Sequence, residues 1–517
     1  MTSEPLSLPM RLLGPAGAFV VFPLLAGIAS AATTPPAETC VRVLGYESSG
    51  EKQSMDPAIM YSGDDAYHIF AVYNRLTDLD ANFQAVPELA QSWEASPDDK
   101  TWTFHLRQGV KFHDGSTFDA NDVVYSFKRL FDPNLATGAR QALSFLDPDG
   151  IRAVDLNTVT FTTKQPVGDL AVLIANKYTN IVAEGAKPEN LRLHENGTGP
   201  FVQDEFTPGG PLRVLKKNLQ YWRAGLPKAD CLKITVAPEA IAAVSAMKSG
   251  EVDLALNIEP SVVGTLKDDP DVQLLQTGAS NSLVISMWAD TPPFDDVRVR
   301  QAMKLVVDRQ AMITAVLQGF GEAGADNPLP VGSPASFTKD APKPDIAQAK
   351  LLLAQAGHPD GLKVDLFTAD GVPGMVHMAQ VYAQMAKAAG IQININLTPA
   401  ETYWDDVWLK RPLVTSSWSM RPPAEALSYP YRSSSDVNET HWKRQDFDYL
   451  LDKADTTANA AERTKLYQQA GQLLAEDGGV IVPMFTHRLL GLRKGCTGYT
   501  PNVQYFAINF EQIACAK

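Results

Sequence analysis

Between residues 345 and 400 the chain alternates two kinds of pattern, and that alternation constrains the fold more than any other feature. A helical stretch over 345–356 is stopped by Gly357, and a β-like run at 362–367 follows. A second helical stretch over 375–389 then leads into a second β-like run at 391–397. Strands separated by helices of this length form βαβ units, so this region is expected to be a lobe with its own sheet. Met375, Met378 and Met385 fall on the second helix and read as core filling rather than a cofactor box. Short β-like runs mixed with amphipathic helices continue along the chain, which makes the class α/β or α+β. At 517 residues the chain is too long for one hydrophobic core, so two or three lobes are expected.

Local signals place further elements. Trp102 to Leu106 alternates as a half-buried strand, with Val110 to Phe112 continuing it past Gly109. Asp114-Gly115 marks a tight turn, where glycine supplies a positive φ. Asp119 opens a helix, with Asp122 three residues on completing a capping box and Val123, Phe127 and Leu130 on one face. A helix over 241–248 is ended by Gly250 and runs into a strand at 252–256.

The first residues are set apart from the fold. Arg11 precedes an apolar run, Leu12 to Ile28, followed by the small-x-small pattern Ala29-Ser30-Ala31. This is a secretory signal, expected to be cleaved to leave a mature chain beginning near Ala32. Four cysteines suit an oxidising compartment, and they allow three pairings. Cys40 and Cys231 each precede a β-like run, so adjacent strands starting at the same end could be stapled there. Cys496 and Cys515 would then close a short C-terminal loop.

Composition narrows the partners. The formal net charge is −14 and no Lys/Arg cluster appears, which excludes a nucleic-acid partner because phosphate binding needs a basic face. The eight histidines are scattered and the cysteines lack zinc spacing, so neither a metal nor a cofactor is expected. Ser245-Ala-Met-Lys248 and Ser336-Phe-Thr-Lys339 satisfy Ser-x-x-Lys, the signature of a secreted serine hydrolase. Two fixed positions recur by chance in a long chain and no Lys-Thr-Gly follows, so no catalytic residue is assigned.

The segment ELAQSWEASPDDKTWTFHLRQGVKFHDGSTFDANDVVYSFKRL, Glu88 to Leu130, resembles the signature of the family-5 extracellular solute-binding proteins, the oligopeptide, dipeptide and nickel group. NGTGPF at Asn196, KKNLQYWRAGLPKAD at Lys216, AAVSAMKSGEVDLAL at Ala242 and PPFDDVRVRQAMKLVVDR at Pro292 are similar to further elements of that family, in its order. The resemblance implies a two-lobed periplasmic-binding-protein fold (class II, cluster C) with an extra α+β domain inserted in the first lobe. Residues 32–61, 181–280 and 486–517 would form the first lobe, 62–180 the inserted domain and 281–485 the second lobe. The implied role is a periplasmic, monomeric, non-enzymatic binding component of an ABC transporter that delivers a peptide, opine-like or other small molecule to permease subunits in the inner membrane. A haem or metal-chelate carrier of the same fold is the alternative.

A ligand site between two lobes needs aromatic walls and a few convergent polar groups. The loop after the strand-like Leu413 to Thr415 supplies Ser417, Trp418 and Arg421. Resembling dipeptide and oligopeptide binders tend to carry an Asp in this element, pairing with the peptide's amino group. Arg421 stands in its place here, and a guanidinium fork suits a carboxylate or phosphate instead. Trp288 is expected near the lobe crossing, stacking on the ligand, and Trp404 plays the same part after a strand end. Ser62 and Gly63 resemble the family's early Ser/Thr-Gly loop that reaches a bound peptide. Tyr73 to Leu76 is expected to be helical, and Pro200 to follow a glycine with unusual backbone angles.

Overall fold

The computed structural model describes residues 39–45, 53–60, 63–135, 137–237, 239–503 and 508–516. The expected secretory signal and Ser62 lie outside them. Among the described residues, no helix is long and apolar enough to cross a membrane.

One mixed sheet organises the molecule. Ten of its strands run in the order Ile391–Thr398, Leu362–Ala369, Leu413–Ser419, Val272–Met287, Val480–Arg493, Leu254–Ala255, Cys40–Gly45, Cys231–Val236, Leu212–Lys217 and Phe201–Glu205. An eleventh, Gly321–Ala323, pairs with Val480–Arg493. The expected βαβ unit is present, though its strands join the one shared sheet rather than forming a sheet of their own: Leu362–Ala369 and Ile391–Thr398 pair in parallel through the helix Met375–Ala386, on which Met375 and Met378 are buried. Val272–Met287 and Val480–Arg493 are much longer than the other strands and pair along nearly their whole length. At one end they adjoin Leu254–Ala255, at the other Leu413–Ser419. Their register shifts between Gln276 and Asn281, where the two ends meet. Such irregularities interrupt the ladder and let a strand bend.

Buried side chains fall into bodies that follow this division. One core gathers Val43, Ile234, Leu254 and Leu490; another, under the helices Val297–Leu305 and Arg309–Leu317, gathers Leu283, Met303, Leu366 and Ile391. A third, from Ala58 to Ile181, lies against the four-stranded sheet Ala90–Ala95, Thr101–Leu106, Thr158–Thr162 and Arg152–Asp155. The architecture is α/β and two-lobed, with an inserted α+β body.

Both disulfides follow from register. Cys40–Gly45 pairs in parallel with Cys231–Val236 with Cys40 opposite Cys231, and the two sulfurs are bonded across a Cα separation of 4.4 Å. Cys496 and Cys515 face each other in a two-stranded ribbon and form the second bridge.

The motifs carry structure. The Asn74 carbonyl accepts from Thr198 Oγ1 (3.0 Å) and Trp222 Nε1 (3.1 Å), and its amide donates to Glu88 (2.6 Å), so three distant motifs meet on one side chain. Neither Gly197 nor Gly199 adopts a positive φ, contrary to the expected unusual angles. Their requirement is space: a Cβ on Gly197 would lie 2.1 Å from the Val72 carbonyl oxygen, which accepts the Gly199 N–H at 2.7 Å. That bond helps end the helix Gly63–Val72, so Tyr73 to Leu76 is not helical. Nor does Val110 to Phe112 extend a strand. Gly109, at φ 77°, turns the chain, and Lys111 bridges only to Thr117. The capping box of helix Ala120–Arg129 forms as expected. In the second lobe, buried Lys304 donates to the carbonyls of Ala475 (2.7 Å) and Gly478 (2.8 Å), and Arg300 to that of Asp477. Two cations thus cap the C-terminus of helix Ala460–Asp477, where the helix dipole is negative.

Burial of carboxyls in the inserted body gives the fold a pH dependence. Glu88 is pushed up to about 7 and Asp122 to about 6, in both cases chiefly by burial. An acid whose folded value is raised stabilises the fold fully below its unfolded value, near 4, and that contribution is lost as pH rises through the folded value. Half-buried His113 is lowered by desolvation and works in the opposite direction below pH 6.5. Asp169 in the same body is raised by burial as well, so three acids against one imidazole leave the acids dominant. The unfolding free energy is therefore expected to fall between pH 5.5 and 8, by an amount of order 2 kcal/mol. Glu88→Gln should flatten that slope, and denaturant melts across this range check both points.

Candidate functional site

Leu362–Ala369, Ile391–Thr398 and Leu413–Ser419 are parallel and end at one edge of the sheet. In α/β folds the loops beyond the carboxyl ends of parallel strands form the ligand crevice. Here that edge lies beside the lobe crossing, since Ser419 is paired with Asn281.

Glu439 builds the wall at this edge. It is fully buried, and its carboxylate accepts from Ser416 Oγ (2.6 Å), Trp418 Nε1 (2.9 Å) and Trp408 Nε1 (3.0 Å). Three bonds from three directions fix both indoles. Ring contacts extend the wall from Trp404 to Trp408 (5.7 Å between centroids), to Trp418 (6.0 Å) and to Tyr429 (5.8 Å). Trp404 remains 39% exposed. The Arg421 guanidinium stands 4.7 Å from the Tyr429 ring centroid and 5.5 Å from that of Trp418. Cation–π contact of this kind holds a guanidinium without using its hydrogen-bond donors.

The electrostatics at Arg421 come from both sides. Glu425, in the first turn of helix Pro423–Tyr431, is raised by burial, while Arg421, a hydrogen bond from the Asn176 side chain and Lys177 act to lower it. Burial also raises the Tyr178 hydroxyl, against the influence of Arg421. The segment 176–178 of the inserted body therefore faces Arg421 and Glu425 across the gap between lobes. Glu425, raised by burial, thus stands among two cations, an amide and a phenol, while the second carboxyl of the wall, Glu439, is engaged by its own three donors.

Of the residues expected from sequence, Trp418, Trp404 and Arg421 come together on this edge, whereas Ser417, half-buried in the strand opposite Leu283, lies on the face away from Ser416 and Trp418. Trp288 does not. Met287 pairs with Leu413, at the other end of the strand from the Asn281–Ser419 pair. That places Trp288 roughly 20 Å from the lobe crossing at the usual rise per residue. Its ring stacks on His441 at 4.0 Å, and His441 meets Asp290 at 3.2 Å, so Trp288 belongs to the distal end of the lobe. Gly63 is the first residue of the helix Gly63–Val72. Glu439, Trp408, Tyr429, Glu425 and 176–178 had not been singled out. The spacing of Trp404 and Trp408, one helical turn apart, was the one signal available.

Two lobes joined through paired long strands, with an aromatic and cationic wall at the sheet edge between them, define a binding protein of the two-lobed solute-capture class. The comparisons agree. A family model, bacterial extracellular solute-binding proteins, family 5, middle part, matches residues 84–439. The chain belongs to this family. It is 32% identical to heme-binding protein A of Haemophilus influenzae over 80% of this chain and 81% of that protein. It is 27% identical to the dipeptide-binding protein of Escherichia coli K12 over 92% and 95% of the two chains. Among solved structures, AgaA of A. tumefaciens R10 in complex with agropinic acid superposes with a TM-score of 0.77 at 26% identity, over 93% of this chain and 99% of that one.

Proposed function

We propose that the chain is the periplasmic capture component of an ABC importer, secreted through its N-terminal signal, monomeric, non-enzymatic, and specific for a peptide-like or opine-like small molecule bearing an anionic group. The observation that carries the ligand class is Arg421, held by two aromatic rings at the mouth of the parallel strands with its donors left for a ligand. Relatives named for dipeptides and a neighbour holding agropinic acid support this range of solutes. In this reading the first lobe is 32–61, 181–280 and 486–517, the inserted domain 62–180 and the second lobe 281–485. The separate cores support these limits, and the irregular ladder between Gln276 and Asn281 supports a hinge there.

Mass spectrometry of small molecules released from the purified protein tests the ligand class, with a carboxylate or phosphate compound expected. Adding that compound back should lower the radius of gyration in small-angle scattering and raise thermal stability, by about 2.7 kcal/mol at a hundredfold excess over Kd. An unchanged scattering curve with a tight ligand would remove the hinged-trap mechanism. The relative named for haem at 32% identity supports a second reading, which a Soret band on titration with haem would bring forward.

A further inference from the structure

Apart from the Arg421 wall, the inserted body meets the second lobe at a second place. Gly168 donates its N–H to the Asp455 carbonyl at 2.8 Å. Arg463 Nη1 donates to the carbonyls of Gly168 (3.1 Å), Thr457 (2.8 Å) and Ala458 (3.1 Å), and Nη2 pairs with Asp169 Oδ2 at 3.0 Å. The other oxygen of Asp169 accepts from Val172 N–H, capping the helix Leu170–Leu173. The guanidinium is 14% exposed and the carboxylate 30%, so the pair is largely removed from solvent screening. On the second lobe, Arg432 holds the Asp455 carboxylate at 3.0 Å. Arg432 follows the helix Pro423–Tyr431, whose other end carries Arg421. Nine helical residues span about 14 Å, so this contact stands a helix length away from the ligand wall.

Gly168 shows how close the contact is. A Cβ there would lie 2.3 Å from the Thr457 carbonyl oxygen. Its φ lies outside the left-handed region, so an alanine is compatible with the backbone of the inserted domain itself and clashes only when the second lobe is in place.

We propose that Gly168, Asp169 and Arg463 form a latch that shuts the inserted domain onto the second lobe without help from the ligand. These are positioning residues: they set affinity by populating the closed form, and they touch no solute. A binding-competent state that is already populated lowers the apparent Kd in proportion to its population. The proposal rests on the hinged-trap reading, because a contact of this kind acts as a latch only if the lobes separate.

The test uses full-length mature protein, freed of bound solute by unfolding and refolding, and reads small-angle scattering with no ligand present. Gly168→Ala and Arg463→Ala should each reduce the closed fraction about tenfold, the ratio that corresponds to 1.4 kcal/mol. The thermal midpoint of ligand-free Gly168→Ala should stay close to wild type, which a merely structural role would not allow; Arg463→Ala also loses its bonds to Thr457 and Ala458 within the second lobe and should melt earlier. Exchanging the charges, Asp169→Arg with Arg463→Asp, should recover part of the closed fraction that Arg463→Asp alone loses. If ligand-free wild type and both alanine variants scatter identically, the latch is overturned. The hinged trap would still stand in that event if added ligand contracted the wild type.

Discussion

Arg421→Ala is expected to weaken binding of the natural ligand by roughly 2–5 kcal/mol, the range for breaking a desolvated charge-paired contact, which is about thirtyfold to several thousandfold in Kd. The guanidinium is placed by the Trp418 and Tyr429 rings, and those rings are placed in turn by Glu439 and by each other. Substitution therefore removes a positioned fork while the wall remains. Arg421→Lys should restore only part of the loss, because an ammonium offers a point charge rather than a planar pair of donors. The neutral amide of the ligand should bind wild type poorly and discriminate little between the variants. Glu425 supplies the control. If Arg421 served only to neutralise that carboxyl, alanine would lower ligand-free stability and leave Kd unchanged. Titration calorimetry together with ligand-free melts on all three proteins separates these outcomes.

The second large effect lies in the disulfides. Cys40–Cys231 spans 191 residues of sequence and Cys496–Cys515 spans 19. By loop-closure entropy the first constrains the unfolded chain by about 5 kcal/mol and the second by about 3 kcal/mol. Replacing Cys40 and Cys231 together should cost more stability than replacing Cys496 and Cys515, and reduction of the wild type should cost at least as much as either. Denaturant melts of the two double variants check the order. Equal losses would show that strand pairing alone organises the first lobe. Intact mass without reduction should show no alkylatable thiol.

How far the sequence could be read depended on the range of the interaction. The capping box at Asp119 and Asp122, the glycine stop at Gly357 and the βαβ rhythm around Met375 each rest on residues within one or two turns, and all were legible. The Cys40–Cys231 bridge was legible because both cysteines start β-like runs. Trp288 was misplaced because resemblance to a family segment does not say which end of its strand meets the other lobe. The Tyr73 to Leu76 stretch was read as helix because the bond from Gly199 to Val72 comes from more than a hundred residues away. Glu439 went unnoticed for the same reason: its partners lie 21 to 31 positions earlier, and only the fold collects them.

The last long strand to be synthesised, Val480–Arg493, takes a central place in the sheet, between Val272–Met287 and Leu254–Ala255. The first described strand, Cys40–Gly45, also waits for partners that arrive some two hundred residues later. The sheet that both lobes share is not finished until Val480–Arg493 has been made. Assembly dominated by such distant pairings is slow, since loop closure comes before the contacts that reward it. In the proposed reading, in which the chain is exported before it folds, the strand order itself delays premature folding: the piece that completes both lobes follows the strands it joins by some two hundred residues.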